Sequence, residues 1–227
     1  MLIYVLSLSA LSAIVLIGGV YIIGHEYTED IIDRELTRTE FADRLFLREI
    51  QGMRRNILAI SEMPPIQGIV RASDSSAGFD SVGFTGLSFW KERLERIFTA
   101  FITSRDMFFQ LRLIGIADGG REIVRVERRG KKVIAVPDSV LQAKAERDYF
   151  QQTIQLGRGQ IYLSRIDLNR EWGKVEVPHR PTVRAATPIY SAEGKLFGIL
   201  IANMDMTQPL KNLETGLGAG FTFQVQR

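Results

Sequence analysis

The chain has 227 residues, 29 Lys and Arg against 26 Asp and Glu, a formal net charge of +3 and no cysteine. So small a net charge, with no long Lys/Arg run, gives no basis for a nucleic-acid partner. The lack of cysteine excludes disulfides, thiolate metal sites and a cysteine nucleophile. Charged residues at 24% and hydrophobic residues at 45% are ordinary globular usage, and no internal repeat is visible.

The first 24 residues, Met1 to Gly24, carry no charged side chain. As a helix, Leu2 to Gly24 is about 34 Å long at ~1.5 Å per residue, enough for a hydrocarbon core of ~30 Å. A cleaved signal peptide has a basic start, a shorter apolar core and a small-x-small cleavage site. Here the run is longer, only the Met1 amine is basic, and Gly24-His25-Glu26 is a poor cleavage context. The run therefore reads as an uncleaved transmembrane anchor, with a cleaved signal or a buried soluble helix as alternatives. Flanking charge leaves orientation open. Arg34 and Arg38 after the span favour a cytoplasmic domain by the positive-inside rule, yet Glu26, Glu29, Asp30 and Asp33 come first.

Glu26 to Glu62 predicts one long helix. Ile32, Leu36, Thr39, Asp43, Phe46, Ile50, Met53, Ile57 and Ile60 alternate spacings of four and three, the period of a coiled-coil seam. That seam packs either on its own domain or on a second copy of the chain. Met63-Pro64-Pro65 stops the helix, because proline disfavours α geometry in the residue before it. Gln67 to Leu87, rich in Gly, Ser and Asp, predicts a surface loop. Phe89 to Ser104 predicts a helix with Ser88 as N-cap and an apolar stripe of Trp90, Leu94, Ile97, Phe98 and Phe101.

Strands follow. Met107 to Ala117 meets the hairpin signal Asp118-Gly119-Gly120, then Arg121 to Arg129 and Val133 to Val136. A helix is expected from Asp138 to Leu156 and a short strand from Gln160 to Ser164. Arg165 to Gly173 reads as a polar loop and Lys174 to Val177 as a possible strand. Thr182 to Tyr190 and Leu196 to Asp205 are strands around the turn Ala192-Glu193-Gly194, and Thr207 to Thr215 is a short helix. Helices followed by antiparallel strands with one inserted helix make an α+β domain. Gly220 to Arg227 alternates like a strand that opens a further unit.

No catalytic or cofactor constellation stands out. His25 and His179 are far apart, with no partner at metal-ligand spacing. Asp167 to Pro178 resembles a calcium loop only briefly: Trp172 and Pro178 hold the positions where such a loop needs Gly and Glu. Gly216-Leu217-Gly218-Ala219-Gly220 follows a helix, so the dinucleotide fingerprint does not apply. No Walker loop, nucleophile elbow or zinc-protease motif occurs. The reading is therefore a non-enzyme with no cofactor and no metal. What remains is a constellation between Arg147 and Asn203. Arg147, Tyr149 and Phe150 sit at a helix end, Tyr162 and Ser164 share a strand face, Arg184 and Thr187 lie on the next long strand, and Asn203 is near the end of the last. Aromatic walls with a few placed cations and hydroxyls suit an anionic or zwitterionic small molecule. The competing reading makes Tyr149 and Phe150 plain core aromatics and Arg147 a surface cation.

The stretches LRLIGIADGGREIVRVER (Leu111–Arg128), KAERDYF (Lys144–Phe150) and Gly159 to Asp205 resemble the extracytoplasmic double-Cache, PAS-like sensor domains of bacterial histidine kinases, diguanylate cyclases and chemoreceptors. The resemblance runs from about Ile31 to the end. It implies four segments: an anchor (1–24), a long signalling and dimerisation helix (25–63), a membrane-distal PAS-like unit (64–206), and a linker with the start of a truncated second unit (207–227). It further implies an inner-membrane protein with its sensor domain outside the cytoplasm, homodimeric through the long helix. The ligand would be a carboxylate or amino acid. In related domains an Arg-x-x-Tyr-like segment helps bind ligand; Arg147 to Phe150 matches it with the aromatic order altered. Relatives often carry Asp where Asn203 stands, which puts ammonium recognition in doubt. The alternative function is an anchored dimerisation or protein-partner-binding domain with no small ligand.

Overall fold

The computed structural model describes residue 44 and residues 46–171 and 173–217. The expected anchor, the first part of the long helix and the final stretch from Gly218 lie outside the described residues. Among the described residues no helix is long and apolar enough to cross a membrane. Arg48–Lys211 belongs to one compact unit, and residues 46–47 and 212–217 to another.

Helix α1 (46–61) carries the second half of the 3.5-period seam, and Ile50, Met53, Ile57 and Ile60 are all buried within the chain. That half of the seam packs on its own domain. The proline pair that ends α1 also begins α2 (Pro64–Asp74), with proline in the first turn and Met63 extended at ψ 138°. Proline lacks only an N–H that the first turn does not use, and its φ is already helical. This corrects the predicted loop over Gln67 to Leu87. Its first half is helix, because Ile66, Ile69 and Val70 recur at helical spacing and are buried. The loop proper holds a small hairpin, β1 (Phe79–Asp80) and β2 (Thr85–Gly86). Asp80 pins it, accepting from Arg71 Nε and Nη2 at 2.8 Å each, from Trp90 Nε1 at 3.0 Å and from the Val82 N–H at 3.0 Å. Helix α3 (Leu87–Thr103) follows, burying Leu94, Phe98 and Ile102; its N-cap is Gly86, not Ser88.

The sheet strands are β3 (Phe108–Gly115), β4 (Glu122–Arg129), β5 (Lys132–Ala135), β6 (Tyr162–Leu163), β7 (Asp167–Leu168), β10 (Pro181–Tyr190) and β11 (Leu196–Asp205). They run antiparallel in the order β5-β4-β3-β11-β10-β6, with β7 also on β10. The single turn α4 (Ala117–Gly120) joins β3 to β4, with Asp118 and Gly119 at φ 52° and 69°. Register gives the sheet two unlike faces. On one, Leu111 stands between Val126 and Ala202, and Leu113 between Val124 and Leu200. Arg128 shares the alternation of Val124 and Val126 and bonds the Ile102 carbonyl at the end of α3, so α3 covers this face. On the other, Arg112 stands between Arg125 and Ile201, and Gln110 between Glu127 and Asn203.

The predicted helix from Asp138 to Leu156 shrinks to a 3-10 turn (Asp138–Val140) and the helix α5 (Asp148–Thr153). Residues 141–147 form an extended strap tied to the β3–β4 turn. Lys144 and Ala145 donate backbone N–H to Gly120 and Gly119 carbonyls at 2.9 and 3.1 Å, and Glu122 N–H bonds Gln142 O at 3.0 Å. These tertiary bonds override the helical propensity of the segment. They need glycine at 120, where a Cβ would lie 2.7 Å from Ala145 N. The predicted polar loop Arg165 to Gly173 is also corrected. It contains β7 and β8 (Arg170–Glu171, paired with β9, Lys174–Val175), and Leu168 and Asn169 are buried. Its backbone bonds go to neighbours: Asn169 N to Arg180 O at 3.0 Å and Glu176 N to Asn169 O at 2.9 Å. Helix α6 (Thr207–Leu217) follows the last strand.

Candidate functional site

Helix α5 places Tyr149 and Phe150 against Ile114, Ala186, Ile199 and Ile201 on the second face of the sheet. Beside this apolar floor lies a cavity of about 830 Å³ between α5, β6, the 164–167 segment and β10. Arg147, Tyr149, Tyr162, Ser164 and Arg184 all line it. The other three predicted positions do not. Phe150 belongs to the apolar cluster. Thr187 is buried and donates its hydroxyl to Gln160 O at 2.8 Å. Asn203 lies deeper along the sheet, its amide shared between Gln110 and Arg112.

Three of the five lining groups are already engaged, Tyr149 by Arg112 and the other two within the wall. Arg184 bonds Asp167 through Nη1 and Asn169 Oδ1 through Nη2 at 3.4 Å. Ser164 Oγ accepts the Arg184 N–H at 2.9 Å and donates to Arg165 O at 2.7 Å. Tyr162 makes no hydrogen bond through its hydroxyl to any described residue; burial, then nearby Asp148, raises its pKa. Arg165 and Arg170 also line the cavity and were not anticipated.

Sequence reasoning missed the buried charge network behind Tyr149. Arg112 Nη1 donates to the Tyr149 hydroxyl at 3.1 Å and to Glu122 Oε1 at 3.4 Å, while Nη2 donates to Asn203 Oδ1 at 3.3 Å. Its guanidinium carbon stands 5.3 Å from the Tyr149 ring centre. Asn203 Nδ2 donates to Gln110 Oε1 at 3.0 Å, and Gln110 Nε2 to Glu127 Oε2 at 3.1 Å and Glu171 Oε1 at 3.2 Å. Arg125 Nε donates to Glu127 Oε2 at 2.7 Å. Glu122 Oε2 accepts the Gln142 N–H at 3.0 Å, and Lys144 Nζ donates to Gln142 Oε1 at 2.7 Å. Three cations, Arg112, Arg125 and Lys144, thus meet three carboxylates, Glu122, Glu127 and Glu171. Burial alone would raise Glu127 and Glu171, but the arginines outweigh it and hold both below the usual carboxylate range. Burial, reinforced by Arg112, pushes Lys144 down to about 8. Two polar atoms stay unsatisfied. Arg112 Nε has no partner, and Glu171 Oε2 lies 3.2 Å from Arg125 Nη2 without an aligned hydrogen bond. A signal for the network existed: Gln110 and Arg112, two apart inside the otherwise apolar FFQLRLIG, put polar groups on one face of a buried strand.

A second cavity of about 860 Å³ lies where α2, α3 and the two hairpin ends meet. Its three cations, Lys91, Arg121 and Lys195, are matched by Asp74, Asp118 and Glu122, so its charge selects no ligand class. Among the described residues no group of three His, Cys, Asp or Glu is placed to hold a metal ion.

No curated protein matches the sequence. Solved structures do. A domain of a sensory box/GGDEF family protein from Vibrio parahaemolyticus matches with TM-score 0.59 at 22% identity over 79% of this chain. The extracellular domain of the histidine kinase vpHK1S-Z8 matches with TM-score 0.64 at 18% identity over 82%. Methyl-accepting chemotaxis protein X matches with TM-score 0.51 at 11% identity over 78%. At these identities the likeness is one of fold, and the chain spans 64%, 63% and 65% of those structures. The family model "Bacterial histidine kinase, sensor domain" matches residues 88–225, more than half of the chain and the part that carries the sheet, α5 and the cavity. The chain therefore belongs to the bacterial histidine kinase sensor-domain family, whose role is sensing rather than catalysis.

Proposed function

We propose that this chain is the ligand-binding input region of a membrane-bound signalling receptor, anchored by Met1–Gly24 with the sensor unit in the periplasm. One observation carries the reading: Arg147, Tyr149, Tyr162, Ser164 and Arg184, drawn from three elements and a loop, converge on one cavity. A small carboxylate-bearing or zwitterionic molecule fits that lining. The cavity wall is also wired into the sheet, since Arg112 donates both to the Tyr149 hydroxyl oxygen and to Glu122 at the head of β4. Ligand acts as a signal only if it binds two arrangements of this unit unequally. A homodimer through the long helix completes the reading. Because Ile50 to Ile60 are engaged within the chain, pairing falls to the seam before them.

The test is thermal melting of the full chain in nanodiscs against panels of small carboxylates and amino acids, with Tyr162→Ala as control. A stabilising ligand whose effect Tyr162→Ala abolishes supports the reading. Failure of every member to move the melting temperature rejects it. The partner-binding alternative rests on another observation, the β1–β2 hairpin, which exposes Val82 at 68% and Phe84 at 83% on a rigidly pinned base.

A further inference from the structure

The strap at 141–147 joins two parts of the sensor unit that the sheet keeps apart. Its middle is tied to the β3–β4 turn, with the Lys144 and Ala145 N–H groups on the Gly120 and Gly119 carbonyls at 2.9 and 3.1 Å. The Gln142 N–H is held by Glu122 Oε2 at 3.0 Å. The last residue of the strap, Arg147, lines the cavity beside α5, and its carbonyl accepts the Phe150 and Gln151 N–H groups of α5 at 2.8 and 3.1 Å. Under the middle lies the buried Lys144. Among the described residues its ammonium makes one hydrogen bond, to Gln142 Oε1 on the strap itself. Facing it are Arg112 from β3, Glu122 and Arg125 from β4, and Glu171 from β8, while α5 brings the Tyr149 hydroxyl to Arg112. Arg112 and Arg125, with Arg129 from the rim, already match Glu122, Glu127 and Glu171 one for one. The Lys144 proton is therefore a surplus charge in a buried cluster. Burial, reinforced by Arg112, accordingly lowers its pKa to about 8. Lifting the strap returns the ammonium to water and breaks bonds to the β3–β4 turn and the head of β4, with no need for the sheet strands to separate.

We propose that the strap is a proton-operated latch: the Lys144 proton favours its release from the β3–β4 turn, loss of that proton in an alkaline medium closes it, and the cavity wall at Arg147 and Tyr149 moves with it. The inference rests on the unit being an input region outside the cytoplasm, where it meets the pH of the medium. The latch itself does not depend on what the cavity binds. A released Lys144 has its ordinary affinity for a proton. In the closed strap that affinity is about 300-fold weaker, so by linkage the proton favours release by the same factor. Between pH 7 and pH 9 the released population should fall about tenfold.

Hydrogen exchange of the full chain in nanodiscs, measured at pH 7 and pH 9 and corrected for the intrinsic rate, tests this. The amides of Gln142, Lys144, Ala145, Phe150 and Gln151 should exchange through an opening more frequent than that of β3 and β11. That opening should become about tenfold rarer at pH 9. Lys144→Met should make it rare at both pH values and remove the pH dependence. Lys144→Arg, charged throughout, should keep it at pH 9 as frequent as at pH 7. Melting temperatures show whether each variant folds, and the wild-type comparison decides the matter without either. The proposal is overturned if the strap amides exchange only together with β3 and β11, or if the wild-type opening is equally frequent at both pH values. It is overturned equally if Lys144→Met leaves the pH dependence in place, or if Phe150 and Gln151 do not follow the strap. Each of these results leaves the ligand-site reading standing, because the panel of carboxylates and amino acids tests that reading separately.

Discussion

Lys144 should be more costly than useful to the fold at neutral pH. Its side chain is 7% exposed, and its ammonium donates one hydrogen bond, to Gln142 Oε1. Arg112 on β3 and Arg125 on β4 repel it; Glu122 on β4 and Glu171 on β8 attract it; burial outweighs them all and lowers its pKa from 10.5 to about 8. An unfolded chain returns the lysine to its ordinary value. Between about pH 8 and 10.5 the unfolded state therefore binds the proton more tightly, and stability from this group rises with pH across that window. Below pH 8 the folded chain carries the whole penalty, about 3 kcal/mol for a depression of that size. Replacement by Met keeps the stem and removes the charge. Lys144→Met should accordingly stabilise the protein at pH 7 by about 1–3 kcal/mol, the lower end allowing for water reaching the amine. For a unit this large that is roughly 3–10 °C in melting temperature. The gain should fade as the pH approaches 10. Far-UV circular dichroism melts of wild type and variant, in the same micelles at pH 7 and pH 9.5, measure both effects. A variant less stable than wild type at pH 7, or one whose advantage is the same at both pH values, would refute the reasoning. It would mean that the ammonium holds the strap through Glu122 and Glu171 more strongly than burial opposes it.

Three further outcomes are expected. Asp80→Ala frees the base of the β1–β2 hairpin, leaving the Trp90 indole N–H and Arg71 without their acceptor; urea denaturation should show a loss of about 2 kcal/mol, less than for a deeply buried pair because Arg71 is 35% exposed. The neighbours of Asp80 hold its carboxyl far below the usual range, Arg71 foremost, so its contribution is present above the ordinary carboxylate pKa and is lost as the pH falls through and below it; the acid limb of the wild-type stability profile should flatten in the variant. Gly198→Ala places a Cβ 2.1 Å from the Ile114 carbonyl oxygen, and because the obstacle is backbone the β3–β11 pairing must open; a loss above about 2 kcal/mol and faster amide exchange in both strands should follow, whereas a neutral result would show that the strands separate at little cost. Phe84→Gly relieves an exposed residue held at φ 50° and should gain about 1 kcal/mol in urea denaturation, with a loss revealing an unrecognised packing role for the ring.

The sheet is legible because its strands are short, mostly apolar runs and its turns carry Asp-Gly-Gly, Gly-Lys and Glu-Gly signals. The family was legible from strand content and the Lys144–Phe150 segment. The misreadings have local causes. Pro64-Pro65 signals a helix stop, yet a proline pair can end one helix and start the next. The strap at 141–147 has helix-forming residues, yet its backbone hydrogen bonds go to Gly119, Gly120 and Glu122, partners no local pattern shows. Within the candidate site, the cavity-lining side chains near the strap and β6 are legible because they combine rings and cations in a short stretch. Arg112, Glu122, Arg125 and Glu171 are not, because alternation separates the two faces of a strand without saying whether the polar one meets water or another layer. Here the strap and the β7–β9 segment cover it.

The strand order β5-β4-β3-β11-β10-β6 has a consequence for how the chain assembles. The centre of the sheet is the seam between β3 and β11, strands more than eighty residues apart in sequence, while β3–β4–β5 and β10–β11 are local hairpins. The first meander therefore emerges from the ribosome with β3 as an open, strongly apolar edge, and that edge is closed only when Leu196 to Asp205 arrives. Between those moments the hydrogen-bonding face of Phe108 to Gly115 is available to any passing strand. The slowest and most error-prone event in making this sensor domain should be the meeting of those two strands.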